Sequence, residues 1–252
     1  MTIERDHIVA VVNSLSLSAP TWNLAGNTNK QMDMIIEIVS QASGMELAIV
    51  PQILLHGSDA CDAGGILRDI VNTVFDHILR HANLFEIDTK DSDPPRYVFP
   101  TVSRTLLHPK KRFYQVFGKL LYWFVIIHKQ IPFPNDLHPS IFGYCVYGYI
   151  PMSLTQSLNA SVYDMVMKVQ TLDNVDTLRS LPTDVATWLK QFSDISTRTV
   201  LNNLKAFDQG PSVVACQLAT NAIIGWHTDQ YNWVREGFLS VPDGYTSVSL
   251  HS

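Results

Sequence analysis

A Gly-Gly turn between an extended apolar stretch and a long amphipathic helix is the feature that most constrains how this chain folds. Residues 57–69 read Gly-Ser-Asp-Ala-Cys-Asp-Ala-Gly-Gly-Ile-Leu-Arg-Asp. The apolar runs 47–50 and 53–55, which precede the turn, predict buried extended structure. From 66 to 79 the apolar residues recur at helical spacing, which predicts a helix that begins at the turn.

The composition is that of a globular protein with a substantial apolar core. Of the 252 residues, 46% are hydrophobic and 16% are charged, with a net charge of −5. No basic stripe runs along the chain, so we expect no nucleic-acid partner. The longest apolar run, 116–127, is interrupted by Lys119 and is too short to cross a bilayer, so we expect no membrane association.

Cysteine usage and the N-terminal sequence indicate a reducing compartment. The three cysteines are widely spaced and form no Cys-x-x-Cys pair. The first residues are charged and show no secretory signal. We therefore predict a location in the cytoplasm or the nucleus.

Periodicity and breaker residues predict a mainly helical chain with short strands. The segment 32–39 fits either a helix or a strand, and 97–99 fits a short strand ended by Pro100. Further helices are predicted at 111–128, 139–147, 162–169, 185–192 and 213–238, the last ending at Val241-Pro242-Asp243-Gly244.

Several short motifs follow one another in an order that carries more information than any one of them. They are Asp62-Ala63-Gly64-Gly65, Tyr97-Val98-Phe99-Pro100, Phe117-Gly118-Lys119, Ile131-Pro132-Phe133-Pro134 and Trp233-Val234-Arg235-Glu236-Gly237-Phe238. This succession, over roughly seven-tenths of the chain, resembles the N-terminal lobe of HECT-type E3 ubiquitin ligases.

The resemblance implies an α+β, mainly helical fold in two parts. Residues 1–44 would form leader helices, and 45–150 a large helical subdomain with short strands. Residues 151–215 would form a small inserted subdomain like the one that docks an E2 ubiquitin-conjugating enzyme in the family. The segment 216–252 would return as a closing helix of the large subdomain.

The resemblance also implies a division of labour in which this lobe does not carry the chemistry. In the family, a separate C-terminal lobe holds the cysteine that accepts ubiquitin as a thioester. The sequence reaches Ser252 before such a lobe would begin, and none of its cysteines lies in a Thr-Cys-Phe-like context. We expect no catalytic residue, no metal and no cofactor here. The implied partners are an E2 enzyme, ubiquitin, and a protein that supplies a C-lobe or an assembly.

A docking groove, where the resemblance implies one, would be built from two helices of the small subdomain. Its candidate residues are Tyr163, Met165, Val166 and Val169 on the first helix, with Trp188, Leu189 and Phe192 on the second. The alternative is that these side chains pack the subdomain's own core. A docking groove that contains methionine would suit an adaptable protein contact.

Three functions therefore remain open. The chain is a ubiquitin-ligase module that docks a charged E2 enzyme, a non-catalytic binding protein derived from such a lobe, or a structural subunit of a larger assembly. His77 and His81 share a helix face, but no third metal ligand accompanies them, and neither a nucleophile elbow nor a phosphate-binding loop is present.

Overall fold

The computed structural model describes residues 20–48, 51–55, 65–81, 83–88, 96–100, 108–123, 136–170, 182–192 and 213–249. Over these residues the chain is mainly helical with a few short strands, which is the class expected from the sequence. It divides into two compact units. The first unit comprises Met1–His138 and Asn232–Ser252, and the second unit comprises Pro139–Tyr231. The predicted inserted segment, 151–215, falls inside Pro139–Tyr231.

The first unit opens with two strands and two helices. These are β1 (Thr21–Leu24), α1 (Thr28–Gln41), α2 (Gly44–Ala48) and β2 (Gln52–Leu55). The two strands pair in parallel. At the start of α1, Asn27 Oδ1 accepts a hydrogen bond from the Lys30 amide at 3.1 Å. At the start of α2, Ser43 and Glu46 form a capping box, since each side chain accepts from the other's backbone N–H.

The rest of the first unit surrounds a cluster of aromatic rings. Its elements are α3 (Gly65–His81), β3 (Glu86–Asp88), β4 (Arg96–Val98), a 3-10 turn (His108–Lys110), α4 (Lys111–Tyr122) and the part of α10 (Thr228–Ser249) from Asn232 onward. Strands β3 and β4 are antiparallel. Phe85 lies with its ring centroid 5.2 Å from that of Phe99 and 4.8 Å from that of Phe117. The buried Tyr114 hydroxyl donates a hydrogen bond to the Leu84 carbonyl at 2.9 Å.

A half-buried lysine fastens α1 to α4. The Lys119 ammonium donates to the carbonyl oxygens of Val39, Ser40 and Ala42 at 3.2, 3.2 and 2.9 Å. These carbonyls belong to the C-terminal end of α1, where a cation also interacts favourably with the helix dipole. Burial lowers the pKa of Lys119.

The second unit is a helical bundle. Its elements are α5 (Pro139–Tyr147), α6 (Met152–Leu158), α7 (Ala160–Gln170), α8 (Thr183–Phe192), α9 (Val213–Ile224), a 3-10 turn (Gly225–His227) and the first residues of α10. A buried hydroxyl ties the start of α6 to α9, because Thr220 Oγ1 accepts from the Ile150 amide at 2.7 Å and donates to the Cys216 carbonyl at 2.6 Å.

Near the N-terminus of the described chain, the structure settles one open prediction and corrects another. The segment 32–39 is helical, with Met32, Ile35 and Val39 buried on one face of α1. The extended structure predicted for 47–50 is wrong at 47–48, which belong to α2. Residues 53–55 lie in β2 as expected, but only Ile53 of the three is buried and Leu54 is exposed. The capping box explains the helix at 47–48, since it starts a helix just ahead of this apolar run.

Towards the C-terminus, the predicted single helix is interrupted and then extends further than expected. The 3-10 turn at Gly225, with φ +45°, separates α9 from α10. Helix α10 continues past Pro242 to Ser249 instead of ending near Val241. Proline's fixed φ is compatible with a helix, but Pro242 removes one backbone donor and its ring crowds the carbonyl one turn earlier, so the helix continues there at a cost.

Other element predictions agree closely with the structure or lie beyond its description. The helices at 139–147, 162–169 and 185–192 are confirmed, as is the helix that begins at Gly65, and the strand expected at 97–99 lies one residue earlier. Within the predicted leader, 1–44, residues 21–24 form β1 and not a helix, and residues 1–19 fall outside the described residues. The turn at 56–64 and the Ile-Pro motif at 131–134 also fall outside them.

Candidate functional site

The core of the second unit is a cluster that four of its helices share. Helix α9 is apolar on nearly every face and contributes its buried side chains to α6, α7 and α8. The cluster comprises Met152, Val162, Val166, Val169, Val185, Leu189, Ala215, Cys216, Leu218 and Ala219. Any surface that the bundle offers to a partner must therefore come from residues that flank this core.

The candidate docking residues fall into two groups by burial. Val166, Val169 and Leu189 are core residues with relative exposures of 0%, 1% and 0%. Tyr163, Met165 and Trp188 pack against the core but remain partly exposed. The side chain of Phe192 lies outside the described residues. The buried group can position a docking surface but cannot itself contact a partner in this conformation.

On α7, the partly exposed candidates lie on opposite sides of the buried stripe formed by Val162, Val166 and Val169. Tyr163 and Met167, four residues apart, share one side. Met165 and Lys168, three residues apart, share the other. The sequence places Tyr163 and Met165 together as candidates for one docking groove, whereas helical geometry puts them on opposite sides of the buried stripe.

An ion pair shows which side of α7 faces α8. Lys168 Nζ lies 3.4 Å from Asp184 Oδ2, and both side chains are more than half exposed. The pair joins the last turn of α7 to the first turn of α8. On α8, Trp188 is four residues after Asp184 and therefore shares its side of the helix. We call the set Met165, Lys168, Asp184 and Trp188 the α7–α8 seam.

The charge at the end of the seam persists to acidic pH. A hydrogen bond from the Val185 backbone N–H, followed by the interaction with Lys168, lowers the pKa of Asp184. The carboxylate therefore stays ionised and paired throughout the physiological range. Because both partners are exposed, the pair orients the helices weakly and adds little to their stability.

The second unit exposes several apolar residues that are not predicted from the sequence as candidate binding residues. Met167 is 36% exposed, Tyr147 is 55% exposed, and Trp226, in the turn after α9, is 93% exposed. The Gly225-Trp226 pair after an apolar run is a signal for a helix break that would have placed Trp226 on the surface. Helical periodicity predicts that Met167 and Tyr147 are exposed only once the core-facing side of each helix is known.

Cys145, Cys216 and Tyr231 of this unit are buried and have packing roles. Cys145 and Cys216 are buried, and burial raises the pKa of the Cys216 thiol, which makes it a poor nucleophile. The Tyr231 hydroxyl lies 2.6 Å from Ser140 Oγ in a buried hydrogen bond, and burial raises its pKa.

The described residues contain neither a metal-ligand cluster nor a membrane-spanning helix. Within them, no group of three or more histidine, cysteine, aspartate or glutamate side chains is arranged to hold a metal ion. No helix in that part of the chain is both long and apolar enough to cross a membrane.

Comparison with known proteins adds no relative from which a function can be transferred. No protein-family model matches the sequence, and no curated protein matches it significantly. The observations that bear on function are therefore the motifs and the geometry of the α7–α8 seam.

Proposed function

We propose that this chain is a HECT-like ubiquitin-ligase module that docks a ubiquitin-charged E2 enzyme on the α7–α8 seam. The observation that carries the proposal is the ordered succession of motifs, which ends in Trp233-Val234-Arg235-Glu236-Gly237-Phe238. The motifs lie on either side of the residues that form the seam, where a HECT N-lobe would carry its docking subdomain.

The chemistry of the seam supports a protein contact. Met165 and Trp188 are partly exposed and rest on a firm core, which leaves an apolar surface with little freedom to lose on binding. Methionine and tryptophan are both enriched at protein interfaces, the first because it adapts to its partner and the second because it anchors. The ion pair of Lys168 and Asp184 at one end supplies the polar rim that such contacts have.

Within this proposal, the module does not form a ubiquitin thioester by itself. Cys145 and Cys216 are buried, which disfavours the thiolate that transfer requires, and Cys61 lies outside the described residues. The catalytic cysteine would come from a C-lobe. The role of this chain is to bring the charged E2 enzyme within reach of it.

The test is a binding screen of the full chain against a panel of E2 enzymes by isothermal titration calorimetry. Met165→Asp and Trp188→Ala change the seam, and Met167→Asp places the same charge on the opposite side of α7. We expect micromolar binding that both seam variants abolish and the Met167 variant retains. Circular dichroism and thermal unfolding show whether each variant is folded.

Failure to bind any E2 enzyme, from folded protein, would overturn the proposal. Equal loss of binding in the Met167 variant would overturn the assignment to the seam. Addition of a separately expressed HECT C-lobe then distinguishes two forms of the proposal. Restored ubiquitin transfer identifies a ligase module, whereas binding without transfer identifies a non-catalytic binding subunit.

A structural subunit of a larger assembly is the second candidate function. It is favoured by Trp226 and Tyr147, which are exposed on the second unit but are not part of the seam. Tyrosine and tryptophan are enriched at protein interfaces relative to the rest of the surface. If Trp226→Ser removes the chain from its native complex while Met165→Asp does not, this second function holds.

A further inference from the structure

A cavity in the first unit has a mixed lining that matches one class of small molecule. It has a volume of about 420 Å³ and lies between the start of β1, the end of α1 and α2. That volume falls in the range of small-molecule sites. Pro20, Ile38 and Ala42 give it a partly exposed apolar wall, backed by the buried Trp22 and Leu47, while Gln41 and Glu46 supply polar groups.

The apolar wall is rigid. Trp22 is 5% exposed, and its ring packs on that of Trp123 with the centroids 5.5 Å apart. Leu47 is 1% exposed and is fixed in α2. A ligand would therefore meet a preformed surface, which lowers the entropy lost on binding.

Glu46 gives the cavity a fixed negative charge. Its Oε2 accepts hydrogen bonds from both the backbone N–H and the hydroxyl of Ser43 at 2.8 Å. These bonds hold the carboxylate in place and, with a contribution from Lys119, lower the pKa of Glu46. Lys119 is not among the lining residues, because its ammonium is held by the carbonyl oxygens at the end of α1.

Gln41 strengthens the preference for a cation. Its amide nitrogen donates to Glu37 Oε1, which leaves the amide oxygen as the group that can accept from a ligand. We infer that this cavity binds a small organic amine, with the ammonium on Glu46 and the apolar body against Pro20, Ile38 and Ala42. This site is separate from the docking function, since its residues belong to the first unit.

The experiment compares two probes of one shape, phenethylamine and phenethyl alcohol, by nuclear magnetic resonance titration of the full chain. We expect the amine to shift the Trp22 indole signal with saturation, and the alcohol to bind about threefold more weakly, since an ion pair with an exposed carboxylate is screened by solvent. Glu46→Gln retains the capping box but removes the charge, so it should weaken the amine about threefold and leave the alcohol unchanged.

Two further variants control for general effects. Asp33→Asn removes one exposed charge of α1 that does not line the cavity, and it should leave amine binding unaltered. Ala42→Leu fills the cavity and should abolish binding of both probes. Equal binding of amine and alcohol, undiminished amine binding in Glu46→Gln, or no saturable shift with either probe would overturn the inference.

Discussion

Gly118 of α4 and Gly237 of α10 form a reciprocal close contact between the two helices. A Cβ atom added at Gly118 would overlap the Val234 carbonyl oxygen and lie 2.7 Å from the Phe238 amide nitrogen. A Cβ added at Gly237 would overlap the Gln115 carbonyl group. The two glycines belong to the motifs Phe117-Gly118-Lys119 and Trp233-Val234-Arg235-Glu236-Gly237-Phe238, so these two motifs have a physical reason to occur together.

Alanine at either glycine should destabilise the first unit strongly. Because the obstacle is backbone, neither helix can yield locally, and we expect Gly118→Ala or Gly237→Ala to lower the free energy of unfolding by about 3 kcal/mol. Urea denaturation measures this. Gly143→Ala is the matched control, because its Cβ would meet only the end of the Leu154 side chain and should cost about 1 kcal/mol. Equal losses at all three positions would contradict the close contact.

The helix-fastening role of Lys119 predicts a specific loss of stability. Lys119→Met keeps the aliphatic stem but removes the donor to three carbonyl oxygens. We expect a loss of about 1–2 kcal/mol, since half-buried carbonyls are left without their partner. Lys110→Met is the control, because its ammonium donates to the single Asn83 carbonyl at an exposed position. A loss no larger in Lys119→Met than in the control would show that the cap contributes nothing.

Glu46 predicts a pH dependence with a definite sign. The folded state lowers the pKa of Glu46 from its usual 4.5, chiefly through the hydrogen bond from the Ser43 backbone. The ionised carboxylate therefore contributes stability that is fully present above pH 4.5 and is lost as the pH falls through the lowered folded-state value. Because Glu46 is exposed, solvent screening keeps the contribution small.

Unfolding of the parent chain and of Glu46→Gln between pH 3 and pH 7 measures this contribution. The two curves should converge toward low pH, because the protonated carboxyl resembles the amide. Curves that stay parallel over the whole range would contradict the assignment.

Two adjacent positions on α7 should respond very differently to truncation. Val169 is buried in the core of the second unit, whereas Lys168 makes an exposed ion pair. We expect Val169→Ala to cost about 2 kcal/mol and Lys168→Ala less than about 0.5 kcal/mol. Thermal unfolding monitored by calorimetry distinguishes them. A larger loss for Lys168→Ala would mean that the core described for this unit is wrong.

Helix positions in the second unit could be predicted from the sequence because local signals agree there. Pro139 supplies the fixed φ of a helix start, and the buried stripe of α7 repeats at helical spacing. The prediction failed at 47–48, where an apolar pattern of four residues fits either strand or helix and a capping box decided the outcome. It failed again at Pro242, where a breaker residue is tolerated inside α10.

The candidate site was harder to predict than the helices that form it. The sequence identifies Met165 and Trp188 as apolar, but it does not show which apolar residues face the core. Periodicity marks a buried side without marking its edges, so it does not separate the buried Val166, Val169 and Leu189 from their partly exposed neighbours. The seam emerges only from the pairing of α7 with α8 through Lys168 and Asp184, which is a tertiary relationship.

Hydrogen–deuterium exchange of the full chain, with and without a saturating ubiquitin-charged E2 enzyme, tests the central claim most directly. We predict slower exchange confined to α7 and α8, with the segment around Trp226 unchanged. Protection around Trp226 but not at α7 and α8, or no protection with any E2 enzyme of the panel, would contradict docking on the α7–α8 seam.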